Sequence, residues 1–155
     1  MKPNPYRGPR SSPRAKGGPP SEADIQRELA KALDGAELLW TATANGGKRD
    51  KRTAASLKAQ GLKPGVPDVL IFTPPPSGIG CGMAIELKRD AGQGKQRGRL
   101  SPHQRIWLEE LRALGWRAEV AYGLHHALEI LRAAGYNISP PNTLDTQESD
   151  HDHER

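Results

Sequence analysis

Two short apolar runs separated by three consecutive prolines constrain the fold of this chain more than any other feature. Residues 69–72 are Val-Leu-Ile-Phe, and residues 83–88 are Met-Ala-Ile-Glu-Leu-Lys. Both runs are typical of strands, and the first is typical of a strand buried on both faces. The intervening residues 74–78, Pro-Pro-Pro-Ser-Gly, are compatible only with a turn or loop. We therefore predict that this loop joins two antiparallel strands into a hairpin.

A carboxylate flanks each predicted strand at the same end of this hairpin. If the turn is centred on Ser77, the register places Asp68 directly opposite Glu86. Directly opposed carboxylates repel each other, and a cation between them would remove the repulsion. Lys88 lies two residues beyond Glu86, so strand alternation puts both side chains on the same face. The sequence thus predicts two acids and a lysine together at one rim of the sheet.

These residue types suit the hydrolysis of a phosphodiester. Mg²⁺ prefers carboxylate and carbonyl oxygens, which Asp68, Glu86 and the main-chain carbonyl of Leu87 would supply. Bound Mg²⁺ lowers the pKa of a water ligand and neutralises charge on a phosphoryl oxygen. Lys88 would orient or deprotonate the attacking water, or stabilise the negative phosphate in the transition state. Pro-Asp and Glu-x-Lys are each frequent on ordinary strands, so the prediction depends on their combination at matched strand ends.

Hydrophobic periodicity places eight elements along residues 21–138. Ser21 with Asp24, and Ser101 with Gln104, are typical of the capping boxes that begin helices. The predicted order is helix, strand, short helix, strand, strand, helix, strand and helix, at residues 22–35, 37–43, 53–60, 69–72, 83–88, 102–114, 116–122 and 124–134. This order predicts an α/β sandwich with a mixed sheet, whose core includes Leu114 and all three tryptophans.

Three segments together resemble the motifs of a nuclease family. Residues 65–68 are Gly-Val-Pro-Asp, residues 85–88 are Ile-Glu-Leu-Lys, and residues 101–104 are Ser-Pro-His-Gln. In this order and spacing they look like the VRR-NUC family of the PD-(D/E)xK superfamily, over residues 21–132. The resemblance implies a restriction-endonuclease-like fold with a mixed four-stranded sheet flanked by helices, and cleavage of DNA that depends on Mg²⁺ or Mn²⁺. It further implies a stand-alone phage or bacterial member in DNA repair or recombination, acting as a homodimer on four-way junctions.

The same resemblance implies roles for three further residues. Glu22 matches the family's N-terminal acidic residue, and the alternative is an acid that stabilises the helix dipole. Gln104 matches a glutamine expected to contact the site from its helix. The alternative is the capping box with Ser101, and we expect one amide to fill only one of these roles. Asn45 matches a turn beside the DNA, and the alternative is an ordinary turn residue.

Basic residues cluster beside these motifs. The net charge of +5 divides into +5 for residues 1–20, +4 for residues 21–140 and −4 for residues 141–155. Basic loops beside a metal site favour contacts with the phosphate backbone, although solvated surface loops have the same composition. We predict DNA contacts from six basic residues, Lys48, Arg49, Arg89, Lys95, Arg97 and Arg99. Residues 1–20 and 139–155 are predicted to be a disordered basic arm and a disordered acidic tail around a nuclease domain at residues 21–138.

Composition excludes several protein classes. Cys81 is the one cysteine, so an internal disulfide is impossible, and the chain has neither an 18-residue apolar run nor a secretory apolar segment. We expect a soluble, cytoplasmic protein. No glycine-rich phosphate-binding or dinucleotide-binding motif follows a predicted strand, which argues against an ATPase or a dehydrogenase. Two alternatives remain open: a non-catalytic DNA-binding or assembly module on the same fold, and a restriction-like or single-strand-specific nuclease.

Overall fold

The order of helices and strands along the chain is the predicted one. The computed structural model describes residues 20–43, 51–90 and 98–140. The elements of this part are α1 (Glu22–Gly35), β1 (Trp40–Ala42), α2 (Lys51–Ala59), β2 (Val69–Ile71), β3 (Met83–Lys88), α3 (Pro102–Ala113), β4 (Arg117–Tyr122) and α4 (Gly123–Ala133). Most of the predicted basic arm and acidic tail lies outside the described residues. No helix of the described part is long and apolar enough to cross a membrane.

The four strands form one mixed sheet in the order β1-β2-β3-β4. β2 pairs antiparallel with both β1 and β3, whereas β3 and β4 are parallel. The hairpin register pairs Val69 with Ile85 and Ile71 with Met83. One position further along, this register sets Asp68 opposite Glu86, as the turn centred on Ser77 predicts. The α/β fold with a mixed four-stranded sheet flanked by helices is confirmed.

All six residues of β3 are buried because helices cover both faces of the sheet. Ile85 and Leu87 belong to the larger core, to which α1 and α4 contribute. Ala84 belongs to a smaller core together with Leu108 of α3. Since side chains alternate along a strand, Glu86 and Lys88 share the α3 face with Ala84. The helix α3 therefore packs over the face that carries the predicted site.

Capping boxes begin both α1 and α3 as predicted. The Ser21 hydroxyl accepts a hydrogen bond from the Asp24 N–H, and the Asp24 carboxylate accepts one from the Ser21 N–H. Ser101 and Gln104 make the same reciprocal pair at α3, whose first residue is Pro102. A proline is well accommodated there because the first N–H of a helix has no partner within the helix.

The structure corrects three predictions at the ends of elements. The first strand begins at Trp40 and not at residue 37, because Glu37 has a φ of 56°, a left-handed conformation that a strand does not accommodate. Leu114 is 71% exposed because it follows the last turn of α3, beyond the buried Leu111. Phe72 is 44% exposed because it follows β2 and leaves the buried part of the sheet. The three tryptophans are half-buried at the margins of the cores.

Candidate active site

Asp68 stands at the entrance to β2 and is held there by main-chain hydrogen bonds. The N–H of Thr43 donates to the Asp68 carbonyl at 2.9 Å, and the Thr43 hydroxyl donates to the carbonyl of Pro67 at 2.7 Å. The Asp68 carboxylate accepts the N–H of Leu87 at 2.8 Å. These contacts tether Asp68 to the ends of both β1 and β3.

Glu86 lies in the middle of the site and is only 1% exposed. Its Oε1 accepts hydrogen bonds from the Lys88 ammonium and from the Gln104 side-chain amide. Its Oε2 is buried and has no hydrogen-bond partner in the described part of the chain. A buried carboxylate oxygen without a partner is costly, and a cation or hydrogen-bond donor at this atom would lower that cost. Lys88 is itself only 7% exposed, and its charge lies beside that of Glu86.

Gln104 fills both of the roles that we expected to exclude each other. Its Oε1 accepts the N–H of Ser101 at 2.9 Å and completes the capping box of α3. Its Nε2 donates to Glu86 Oε1. The expectation was wrong because the two ends of an amide are separate, one accepting and one donating.

The two carboxylates are incompletely neutralised. Burial, together with the charge of Asp68, raises the pKa of Glu86 to about 7 in spite of the opposing hydrogen bond from Lys88. Burial likewise raises the pKa of Asp68, against the opposing N–H of Leu87 and the charge of Lys88. One lysine therefore does not offset the cost of burying two carboxylates, and an additional cation would favour their charged forms.

Glu22 supplies a third acidic group from the start of α1. Its side chain is exposed, and its carboxylate accepts the N–H of Arg89 at 3.4 Å, just beyond the end of β3. The negative charge of Glu22 also raises the pKa of both Asp68 and Glu86. The structure thus brings Glu22 to the rim of the carboxylate pair, where the resemblance implied a role for it.

Comparison with known proteins identifies the family. The family model described as the VRR-NUC domain matches residues 21–125, which run from the N-cap of α1 into α4 and include Asp68, Glu86, Lys88 and Gln104. The chain belongs to the VRR-NUC domain family. A solved structure described as a VRR_NUC domain protein has the same fold, with a TM-score of 0.56 and 21% sequence identity over 74% of this chain and 88% of that chain. No curated protein matches the chain.

The site of this VRR-NUC domain has oxygen ligands suited to a hard divalent cation. Asp68 and Glu86 supply carboxylates, and the unpartnered Glu86 Oε2 is one available ligand atom. The carbonyl of Leu87 lies on the same edge of β3 as its N–H, which points to Asp68. Among the described residues, no group of three His, Cys, Asp or Glu side chains could hold a metal ion. The possible donors are therefore two carboxylates and a main-chain carbonyl, a set of hard oxygen ligands that suits Mg²⁺ or Mn²⁺ better than a metal that prefers nitrogen or sulfur ligands.

Sequence reasoning missed several residues that pack around the site, because their side chains are not ones that bind metals or catalyse reactions. Gly98 packs closely against Lys88. A Cβ added at Gly98 would lie 3.1 Å from the Lys88 Cδ. The indole N–H of Trp107 donates to the carbonyl of Pro64 at 3.1 Å. Gly65 has a φ of 83° and contacts the first turn of α3. A glycine three residues before the acid is the one sequence sign of this packing.

The predicted DNA-contact residues divide into two groups. Arg89 and Arg99 are exposed, one after β3 and the other before α3. The remaining ones lie outside the described residues, namely Asn45, Lys48, Arg49, Lys95 and Arg97. Arg89 directly follows the buried Lys88, and Arg99 lies one residue beyond Gly98, which packs against Lys88.

Proposed function

We propose that this VRR-NUC domain is a divalent-metal-dependent endonuclease that hydrolyses phosphodiester bonds of DNA. The observation that carries this proposal is the unequal use of the two Glu86 oxygens. Oε1 accepts two hydrogen bonds, while Oε2 is buried beside a second carboxylate and has no hydrogen-bond partner among the described residues. Such an atom is uncommon in a purely structural ion pair, because buried polar atoms are almost always hydrogen-bonded.

In this proposal each side chain of the site has one task. Asp68, Glu86 and the Leu87 carbonyl would hold Mg²⁺, which would lower the pKa of a bound water and neutralise charge on the phosphoryl oxygens. Lys88 keeps its ammonium on the same face, where it orients the attacking water and stabilises negative charge on the phosphate. Gln104 fixes the orientation of Glu86 from α3.

We further propose branched DNA as the preferred substrate. The exposed Arg89 and Arg99 flank the site, and contacts of arginine with the backbone orient a duplex without reading its sequence. A domain of this size offers little surface for base contacts, so the shape of the DNA provides most of the selectivity. Four-way junctions and flaps are the branched structures to compare first.

The test is a cleavage assay with labelled junction, flap, single-stranded and duplex DNA, each with Mg²⁺ or EDTA. We expect Mg²⁺-dependent cleavage that is fastest on a branched substrate. Lys88→Ala lowers the rate by about a hundredfold or more, because a positioned acid-base or charge-stabilising group is lost. Lys31→Ala is the matched control, since Lys31 is an exposed lysine on α1 whose side chain is 67% accessible.

Three outcomes separate the alternatives. Unchanged cleavage by Lys88→Ala would refute the proposed mechanism. DNA binding without cleavage of any substrate would favour the non-catalytic module. Fastest cleavage of single-stranded DNA, or sequence-dependent cleavage of a plain duplex, would favour the other nuclease alternatives.

A further inference from the structure

The loop before Asp68 packs against the first turn of α3 more closely than any residue with a side chain would allow. A Cβ at Gly65 would lie 2.6 Å from both the carbonyl carbon and the Cβ of His103, and 2.8 Å from the nitrogen of Gln104. Two of these three atoms belong to the main chain and cannot move aside by rotation of a side chain. Gly65 also has a φ of 83°, which favours glycine.

The same loop is attached to both halves of the site. At its start, the Pro64 carbonyl accepts the indole N–H of Trp107, one turn along α3, at 3.1 Å. At its end, the Asp68 carboxylate accepts the N–H of Leu87 in β3 at 2.8 Å. Residues 64–68, here called the connecting loop, therefore join α3 to the strand that carries Glu86.

This attachment determines where the amide of Gln104 lies. Gln104 is in the first turn of α3, directly under Gly65, and its Nε2 donates to Glu86 Oε1. Lys88 donates to the same oxygen, so both donors meet Oε1, and Oε2 has no partner in the part of the chain that the structure describes. Hydrogen bonds weaken steeply with distance and misalignment, so a small displacement of α3 would release Glu86 on one side.

We propose that Gly65 is a positioning residue that acts through Gln104. The absence of a Cβ lets the connecting loop hold the first turn of α3 at the distance from which Gln104 orients Glu86. Gly65 touches neither DNA nor metal in this proposal. Its effect on cleavage rests on the proposed nuclease function, whereas its effect on Gln104 does not.

The structural test compares Gly65→Ala with Gly61→Ala. Gly61 has a φ of 96°, and no described residue beyond its two chain neighbours has an atom within 4 Å of an added Cβ, so it matches the backbone strain without the contact. Nitrogen-15 NMR of the metal-free protein follows the side-chain amide of Gln104, assigned by its disappearance in Gln104→Ala. We expect Gly65→Ala, but not Gly61→Ala, to shift this amide and to accelerate its exchange with water. An unchanged Gln104 amide in folded Gly65→Ala would overturn the proposal.

The kinetic test is a double-mutant cycle on the preferred DNA substrate. Gly65→Ala should lower kcat by about tenfold to a hundredfold, as small misplacements of catalytic groups do, with KM little changed. In the Gln104→Ala background the same substitution should cause no further loss. Losses that multiply would mean that Gly65 acts independently of Gln104, which contradicts the proposal.

A second variant covers the case in which Gly65→Ala does not fold. Trp107→Phe removes the indole donor to the Pro64 carbonyl and keeps an aromatic ring at this half-buried position. It should shift the Gln104 amide in the same direction, and an unchanged amide would overturn the proposal. If the wild-type protein cleaves no DNA, the proposed function fails while the NMR comparison still decides the role of Gly65.

Discussion

At the scale of single residues, the two oxygens of Glu86 have different environments. Oε1 accepts hydrogen bonds from Lys88 and Gln104, while Oε2 is buried and no described residue donates a hydrogen bond to it. This arrangement is unfavourable for the isolated fold, because desolvation of a carboxylate is only partly offset by its hydrogen bonds. Burial of the Glu86 carboxylate thus destabilises the folded protein locally, and a bound cation would reduce this destabilisation.

The unfavourable burial of the Glu86 carboxylate predicts that the stability of the metal-free protein depends on pH. Glu86 has a folded pKa of about 7 against an ordinary value of 4.5, so the folded chain binds its proton more tightly than the unfolded chain does. A carboxyl of raised folded pKa destabilises the fold as it ionises. The free energy of unfolding in EDTA should therefore fall between about pH 4.5 and pH 7, and the raised pKa of Asp68 acts in the same direction.

Urea titrations in EDTA across this pH interval measure the effect. Glu86→Gln should show a smaller fall than the wild type, because its side chain does not ionise. Glu109→Gln, a substitution at an exposed position of α3, should leave the fall unchanged. Equal pH dependence of Glu86→Gln and the wild type would contradict the assignment of this cost to Glu86.

At the scale of elements, the first turn of α3 contains both the capping box of the helix and a contact with the candidate site. The side chain of Gln104 satisfies the N–H of Ser101 with one end and contacts Glu86 with the other. The N-cap therefore fixes the rotamer of the residue that orients Glu86. If the proposed function holds, helix stability and the orientation of Glu86 therefore depend on the same turn.

Two substitutions should separate these roles. Ser101→Ala removes the hydroxyl cap, so it should lower the free energy of unfolding by about 0.5–2 kcal/mol and leave most of the cleavage rate. Gln104→Glu keeps an acceptor for the Ser101 N–H but replaces the donor to Glu86 with a second acid. It should keep the cap and lose most of the cleavage rate at neutral pH.

Urea unfolding at pH 5 measures the cap in both variants. At that pH Glu86 is mostly protonated, given its pKa of about 7, so repulsion from the new carboxylate is small. Cleavage of the preferred substrate with Mg²⁺ at neutral pH measures the contact with Glu86. A normal cleavage rate for Gln104→Glu would show that the amide donor is dispensable.

At the scale of the whole molecule, the charges of the two ends oppose each other. Residues 1–20 carry +5 and residues 141–155 carry −4, on either side of a body that carries +4. Counterion release makes DNA affinity depend on how many of the basic groups meet phosphates. We infer that the arm strengthens DNA binding and that the acidic tail competes with DNA for the basic surface.

Two truncations test this inference in an EDTA-containing binding assay. Removal of residues 1–20 should weaken binding and reduce the slope of log K against log salt by at most about 4.5, the value for five phosphate contacts. Removal of residues 141–155 should strengthen binding at low salt. Thermal unfolding of each truncated protein provides the control for folding, and unchanged affinity in either case would contradict the role given to that end.

The parts of this fold that could be predicted are those that depend on patterns within short stretches of the sequence. Periodicity and capping residues predicted the order of elements and both helix starts, and the three prolines predicted the register that opposes Asp68 and Glu86. These features depend on residues close together in the chain. The ends of elements were predicted less well, because the exposure of Leu114 and Phe72 depends on which neighbours cover them.

The sequence by itself therefore determined the chemical groups, their strands and the family. Only the tertiary structure decided how these groups meet: that Gln104 contacts Glu86 while capping α3, that Glu86 Oε2 has no partner within residues 20–43, 51–90 and 98–140, and that Gly65 lies against α3. The physical reason is that side chains alternate along a strand with a two-residue period, so the sequence shows which of them share a face of the sheet. Contacts between layers depend instead on how closely separate elements pack. At Gly65 the absence of a Cβ sets the distance between the connecting loop and α3, and no periodic pattern in the sequence predicts this contact.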